Sequence, residues 1–239
     1  MKTIDVLELL NPWWKTKSVS KDLAFQFKRR QFKEITTLLK KRSIIILTGL
    51  RRVGKTTLLY QCIEQLLLAN MPPTHIVYFN LDKEVRDVQE ILDAYSTKTG
   101  VNWKEEKITV LLDEISKLKD WARHVKLIYD AFPNIHFLVS SSSSTNLEHE
   151  ALQHLGGRYF LKTILPLSFR EYLSLKGKKE LLENSSLWEK EIVSECNLYM
   201  SRTFPEIIEW TDDLLIKEYL SATMIDKIVK ADIPEKFKN

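Results

Sequence analysis

The stretch Gly49-Leu50-Arg51-Arg52-Val53-Gly54-Lys55-Thr56 fits the pattern G-x-x-x-x-G-K-[ST] in full, and Thr57 follows it. Each fixed position has a chemical reason. Two glycines let the backbone turn tightly and bring its N–H groups close to an anion. Lys55 supplies a positive point charge for phosphate oxygens, and Thr56 a hydroxyl for Mg2+. A helix opening near Lys55 adds its positive end. Arg51 and Arg52, inside the loop, face either phosphate or solvent. The spacing predicts a nucleotide-phosphate site over Gly49, Leu50, Arg51, Arg52, Val53, Gly54, Lys55, Thr56 and Thr57.

Three further positions extend this chemistry. The run ITVLLDEI reads as a hydrophobic strand that delivers Asp113 at its tip, where a carboxylate beside the phosphate loop can serve Mg2+ together with Thr56. Glu114 is next. It can polarise a water for in-line attack on a terminal phosphate, or serve as N-cap or salt-bridge partner of the helix that follows. In IHFLVSSSSS the strand ends at Ser140 and Ser141; Ser140 can sense the terminal phosphate or orient the water, although serines are also ordinary loop residues. Arg158, in HLGGRYF, follows a glycine turn. It can stabilise charge on a transferring phosphoryl group, in cis or from a neighbouring copy, or stand as a surface arginine beside a helix cap. The expected catalytic set is Glu114, Lys55, Ser140 and Arg158, and the metal set Thr56 and Asp113. A phosphotransferase would need an acceptor pocket and a basic lid; the adjacent carboxylates favour water as acceptor instead.

These residues require a particular set of elements. SIIIL, HIVYF, ITVLL, IHFLV and YFLKTIL are short apolar runs that read as buried parallel strands. Between them, KTTLLYQCIEQLLLAN carries Leu58, Leu59, Cys62, Ile63, Leu66 and Leu67 on one helical stripe before Pro72 and Pro73. RDVQEILDAYSTKTG ends in a C-cap glycine, Gly100, and KLKDWARHVKLIYDAF spaces Leu118, Trp121, Val125, Ile128 and Phe132 by three and four. Strands alternating with helices predict right-handed βαβ units and an α/β fold. Phe25, Phe32, Ile35, Leu38 and Leu39 suggest a helix leading into the first strand. After Pro166 the chain reads as helices (SFREYLSLKG, LWEKEIVSECNLYM, DLLIKEYLSATMIDKIV), with residues 176–186 as an exposed loop or fraying helix end. The expected organisation is 1–42 leader and helix, 43–166 α/β core, and 167–239 helical lid or start of a C-terminal domain.

Composition narrows the classes. With 239 residues and 44% hydrophobic content the chain can bury one core and part of a second. Its apolar runs are shorter than the roughly 18 residues a membrane span needs, and the N-terminus lacks a secretion signal, so a cytoplasmic protein is expected. Cys62 and Cys196 read as buried thiols, without metal-ligand spacing. The net charge of +4 is uneven: residues 1–60 carry 14 Lys or Arg against 4 Asp or Glu. That basic preface is a solvated face, or it meets DNA or an acidic partner. In the nucleic-acid reading Lys15, Lys17, Lys28, Arg29, Arg30, Lys40, Lys41 and Arg42 track a phosphate backbone while Trp13, Trp14 and Phe25 stack on bases.

LTGLRRVGKTTLL, YFNLD, LLDEISKLKDW, LVSSSS and GRYFLKTILPLSFREYL together resemble the AAA-type P-loop ATPases, common in archaea and some bacteria, that carry a C-terminal region of unknown function. NPWW is similar to the N-terminal leader of that family, so the resemblance runs over nearly the whole chain. It implies a P-loop NTPase three-layer sandwich with a parallel sheet in the order 5-1-4-3-2, followed by a small helical region. It also implies that Gly49 to Thr56 form the Walker A loop, Asp113 and Glu114 the Walker B pair, Ser140 the polar sensor and Arg158 the Gly-Arg after the sensor strand. ATP rather than GTP comes with the resemblance; with Mg2+ at Thr56 and Asp113, a hydrolysis-driven switch is the expected function. A homo-oligomer or protein partner stays open: an arginine acting in trans demands a ring or dimer, whereas a cis switch is monomeric at rest. The chain departs from the family pattern at Leu50, where proline is usual, at Ser141, in place of glycine, and at Arg202 and Thr203, where two glycines usually precede Phe204. Family members continue past DIPEKFKN into a winged-helix-like segment, so the chain looks like an N-terminal fragment or a naturally short copy.

Overall fold

A computed structural model describes residues 2–142 and 144–222. The expectation of helix beyond residue 222 lies outside the described residues. The chain divides into two compact units: residues up to Gly49 together with Lys55–Thr163, and Leu50–Gly54 together with the chain from Ile164 onward. The basic leader therefore packs within the same unit as the sheet, and the central phosphate-loop residues group with the C-terminal unit.

Five parallel strands form the centre of the first unit: β1 (Ile44–Thr48), β2 (Ile76–Asn80), β3 (Ile108–Asp113), β4 (Ile135–Ser141) and β5 (Tyr159–Thr163). Their order is β2-β3-β4-β1-β5, which read from the other edge is the 5-1-4-3-2 order that the resemblance implies. β1, β3 and β4 are buried along their whole length, as continuous apolar runs in a covered parallel sheet should be. β5 is a half-exposed edge and stops at Thr163, before the end of the apolar run YFLKTIL.

Helices cover both faces. α1 (Thr3–Leu10), α2 (Trp13–Thr16) and α3 (Phe32–Leu38) precede the sheet, and α4 (Lys55–Leu68), α5 (Val88–Thr99), α6 (Trp121–Ala131) and α7 (Ser144–Leu155) connect the strands. Leu7 of α1, Leu92 of α5, Trp121 and Val125 of α6 and Leu147 of α7 share one core with Ile46, Phe79, Leu112 and Val139. Side chains alternate along a strand, so Ile45, Leu47, Leu111 and Leu138 face the other way, toward the layer where α3 packs on α4 and α4 meets β3 and β4. Local chemistry sets the helix ends: Asp87 accepts the Glu90 N–H at 2.8 Å to start α5, and Gly100 closes it at φ 77.

The second unit contains α8 (Phe169–Leu175), α9 (Glu189–Tyr199) and α10 (Asp213–Leu220). A reciprocal cap between Ser168 and Glu171 opens α8, and the Asp212 carboxylate accepts from Leu214 N and Leu215 N at the start of α10. Phe169, Tyr172 and Tyr199 form an aromatic cluster. Within 176–186, read as exposed, Lys179–Leu182 forms a 3-10 turn that buries Leu181. Among the described residues, no helix is long and apolar enough to cross a membrane.

Candidate nucleotide-phosphate site

Sheet order explains why distant residues meet. β4 lies between β1 and β3, so the loop after Thr48, the β4 end at Ser140 and the β3 end at Asp113 emerge side by side. The phosphate loop connects β1 to α4 and has positive φ at Gly49 (146°), Arg52 (63°) and Gly54 (93°). At Gly54 nothing stands within 4 Å of where a Cβ would be. Lys55 begins α4, is buried, and its Nζ donates to the Gly49 carbonyl at 2.9 Å. Val53 is buried, whereas Arg51, Arg52 and Thr56 are exposed.

Asp113 collects three hydroxyl groups on a carboxylate that is only 1% exposed. Thr56 donates to Oδ2 at 2.7 Å, Tyr78 donates to the same oxygen at 3.0 Å, and Ser140 donates to Oδ1. Ser140 Oγ also accepts the Glu114 N–H at 3.4 Å, so one hydroxyl joins the two carboxylate residues. Glu114 has φ 55, a left-handed backbone conformation that disfavours a residue with a Cβ. Its Oε2 accepts the Ser142 N–H at 3.2 Å and the Ser142 hydroxyl at 2.8 Å. Ser141 donates to the Ser116 hydroxyl at 2.8 Å.

Sequence reasoning missed Tyr78 and Ser142. Tyr78 stands opposite Leu111 in the β2–β3 register, so Asp113 is its diagonal neighbour on the same face. Burial first, and then the Asp113 charge, push the Tyr78 hydroxyl above its ordinary pKa, so it remains a proton donor. A tyrosine inside HIVYF does signal a hydroxyl in need of a partner, but the partner depends on register.

Within this chain the geometry does not supply two of the expected contacts, Arg158 at phosphate in cis and the leader tryptophans as stacking faces. Arg158 belongs to the opposite end of the sheet: its carbonyl accepts the N–H of Ile44, the first residue of β1, while the phosphate loop follows the last. That separation is a strand length, roughly 13 Å at about 3.3 Å per residue. The Arg158 guanidinium instead donates to Asp130 Oδ1 at 2.7 Å, so this arginine does not join the phosphate loop within the same chain. Nor do Trp13 and Trp14 offer stacking faces. Trp13 is fully buried, and both indole N–H groups donate to the Ile76 carbonyl, at 3.1 and 2.9 Å. Phe25 is exposed, but Arg29 is buried, Lys28 pairs with Glu64 at 2.8 Å, and Lys15 pairs with Glu8 at 2.5 Å. Of the two cysteines expected to be buried, one is not. Cys62 is buried, and desolvation pushes its thiol up to about 12, whereas Cys196 is exposed on α9.

The residues present fit a Mg2+-bound nucleotide. Thr56 and Asp113 are adjacent hard oxygen donors, Gly54 leaves open space beside the loop, and the buried Thr48 hydroxyl next to it has no hydrogen-bond partner among the described residues. Among the described residues no group of three or more His, Cys, Asp or Glu gathers to hold a metal ion.

A family model described as an AAA domain matches residues 41–173. An uncharacterized protein of Methanocaldococcus jannaschii is 33% identical over 183 residues, covering 75% of this chain and 37% of the relative. An uncharacterized protein of Haemophilus influenzae is 29% identical over 194 residues, covering 80% of this chain and 46% of the relative. The chain thus spans less than half the length of these curated relatives. Among solved structures, the ORC2 protein of Aeropyrum pernix (ADPNP-ADP complexes) is similar with a TM-score of 0.49 at 14% identity, over 65% of this chain and 52% of that one.

Proposed function

As the chain belongs to the AAA domain family, we propose that it binds ATP and hydrolyses it with Mg2+, coupling hydrolysis to a conformational switch. The observation that carries this reading is the 2.7 Å hydrogen bond from Thr56 Oγ1 to Asp113 Oδ2, with Glu114 next in the chain. It joins the first turn of α4 to the tip of β3, where a hydroxyl and a carboxylate together would hold Mg2+. When bound, the ion would supply positive charge to offset that of the phosphates.

The chain's own groups do the rest. The backbone N–H groups of the loop and the N-terminus of α4 face the phosphates. Lys55 Nζ exchanges the Gly49 carbonyl for a phosphate oxygen. Tyr78 and Ser140 orient the Asp113 carboxylate through its two oxygens. Glu114 accepts the proton of the attacking water on Oε1, while the two Ser142 hydrogen bonds to Oε2 orient the carboxylate. The Glu114–Ser142 contact, which ties the tip of β3 to the residue after β4, supports the switch: γ-phosphate orders the segments around the site, and its loss releases them.

Equilibrium binding and phosphate release from Mg·ATP test the reading. Lys55→Ala is expected to weaken ATP binding by at least about tenfold, and Glu114→Gln to retain ATP while turnover falls by roughly 10²–10⁴-fold. Wild-type affinity in Lys55→Ala, or wild-type turnover in Glu114→Gln, overturns it.

A further inference from the structure

The middle of the phosphate loop is tied to a platform within its own compact unit. Arg52, at φ 63, directs its guanidinium Nη1 to Glu206 Oε2 at 2.6 Å and donates to the Tyr219 hydroxyl at 3.2 Å. The Tyr219 hydroxyl in turn donates to the same Glu206 oxygen at 2.5 Å, closing a triangle in which each donor has an acceptor. The guanidinium carbon also lies 5.1 Å from the centroid of the Tyr219 ring, and Trp210 packs edge-on against that ring at 5.2 Å. The platform is itself anchored. Arg202, which is buried, donates to the Trp210 carbonyl and to Asp213 Oδ1, both at 2.9 Å.

The Arg52–Glu206 pair is solvent-exposed, but it is not an isolated pair. Three groups from three chain segments satisfy one another: Arg52 from the loop, Glu206 from the turn Pro205–Ile207 and Tyr219 from α10. Burial alone would push the Glu206 carboxyl upward, but hydrogen bonds from Tyr219 and Arg52 outweigh it and hold the group below its ordinary range. Arg52, in turn, has its guanidinium engaged away from phosphate. A residue with a Cβ resists the left-handed conformation, so a side-chain tether at this position biases the backbone whose N–H groups an anion would use.

We infer that Glu206 and Tyr219 are positioning residues for the nucleotide site, acting through Arg52 to hold the phosphate loop ready for phosphate and so linking occupancy of the loop to the seating of α10. The inference rests on the reading of the loop as an ATP site. By thermodynamic linkage, what the platform contributes to nucleotide affinity, the nucleotide returns as ordering of the platform.

The test combines Mg·ATP binding by calorimetry with hydrogen exchange over residues 205–220, with and without Mg·ATP. It compares wild type, Glu206→Gln, Tyr219→Phe, Arg52→Ala and Lys55→Ala. Glu206→Gln and Tyr219→Phe are each expected to weaken ATP about 5- to 20-fold. ATP is expected to slow exchange over 205–220 in wild type and to lose that effect in Arg52→Ala, a reciprocal readout that a merely structural role for the triangle would not move. Should Glu206→Gln unfold early in a thermal melt, Tyr219→Phe carries the test, since it keeps the ring between Arg52 and Trp210. Wild-type affinity in both variants, with exchange over 205–220 indifferent to ATP, overturns the inference while leaving the ATP site intact if Lys55→Ala still fails to bind. Absence of ATP binding by wild type, or equal binding by Lys55→Ala, overturns the site reading and the inference with it.

Discussion

A carboxylate that receives three hydroxyl groups in a buried setting is held in position. Asp113 is such a group, and its donors come from the first turn of α4, from β2 and from β4. Thr56 and Ser140 are singled out by the sequence because each sits inside a recognisable pattern. Tyr78 is not, because its role needs the β2–β3 register. Tyr78→Phe keeps the ring and removes one donor to a charged acceptor, a change expected to cost about 1.5–3 kcal/mol. A lowered urea midpoint with unchanged slope checks it; no shift would mean that the hydroxyl is dispensable to Asp113. The same logic explains Arg158, whose sequence neighbourhood suggested a role at phosphate. Its glycine turn was visible, but only the strand pairing shows which end of the sheet that turn occupies.

At the scale of elements, the leader resolves a problem that every open sheet has. β2 is an edge strand, and the backbone groups on its free side would be unpaired. The side chain of Asn11 supplies both halves of a ladder step, accepting Tyr78 N–H at 2.7 Å and donating to the Tyr78 carbonyl at 2.8 Å, and it donates to Leu7 O at 2.8 Å as well. Trp13 and Trp14 satisfy the Ile76 carbonyl. The NPWW segment is thus an edge cap made of side chains, which is why Trp13 is buried and Trp14 partly buried, with both indole N–H groups turned to the β2 backbone. Asn11→Ala leaves a buried N–H and C=O without these partners, and is expected to destabilise the first unit by about 2–4 kcal/mol. Thermal melting with hydrogen exchange on β2 measures it, and retained β2 protection would refute the capping role. The strands and α4 to α6 were readable from period and caps, since local sequence dictates them. The capping role of the leader was not, because it depends on a partner more than sixty residues away.

At the scale of the molecule, acid should weaken the fold through several carboxylates. Hydrogen bonds from Lys15 and then Lys98 lower Glu8 to about 2. Burial alone would raise Asp87 and Glu195, but bonds from the Glu90 backbone and Arg86 in the first case, and from Lys178, Tyr172 and Lys176 in the second, leave both below their ordinary values. A folded pKa below the unfolded one contributes stability that is present above the unfolded value and lost as pH falls through the folded one. For Glu8 that window runs from 4.5 down to about 2. Glu150 has the opposite sign, raised by burial and then by Asp120, so it offsets part of the loss. The melting temperature is therefore expected to drop across that window. Added salt should shrink the Glu8 share, whose pairs with Lys15 and Lys98 are solvent-accessible. A melting temperature flat across it would show that these carboxylates are not linked to folding. By itself the sequence determined the phosphate loop, the Asp113-Glu114 pair, the five strands and their helices, because spacing, period and caps are properties of neighbouring residues. Only the tertiary structure decided that Tyr78 and Ser142 hold the two carboxylates, that Arg158 lies at the far end of the sheet, and that Arg52 is tied to Glu206 and Tyr219. Those pairings join residues far apart in the chain, and which ones meet is set by strand order, register and packing.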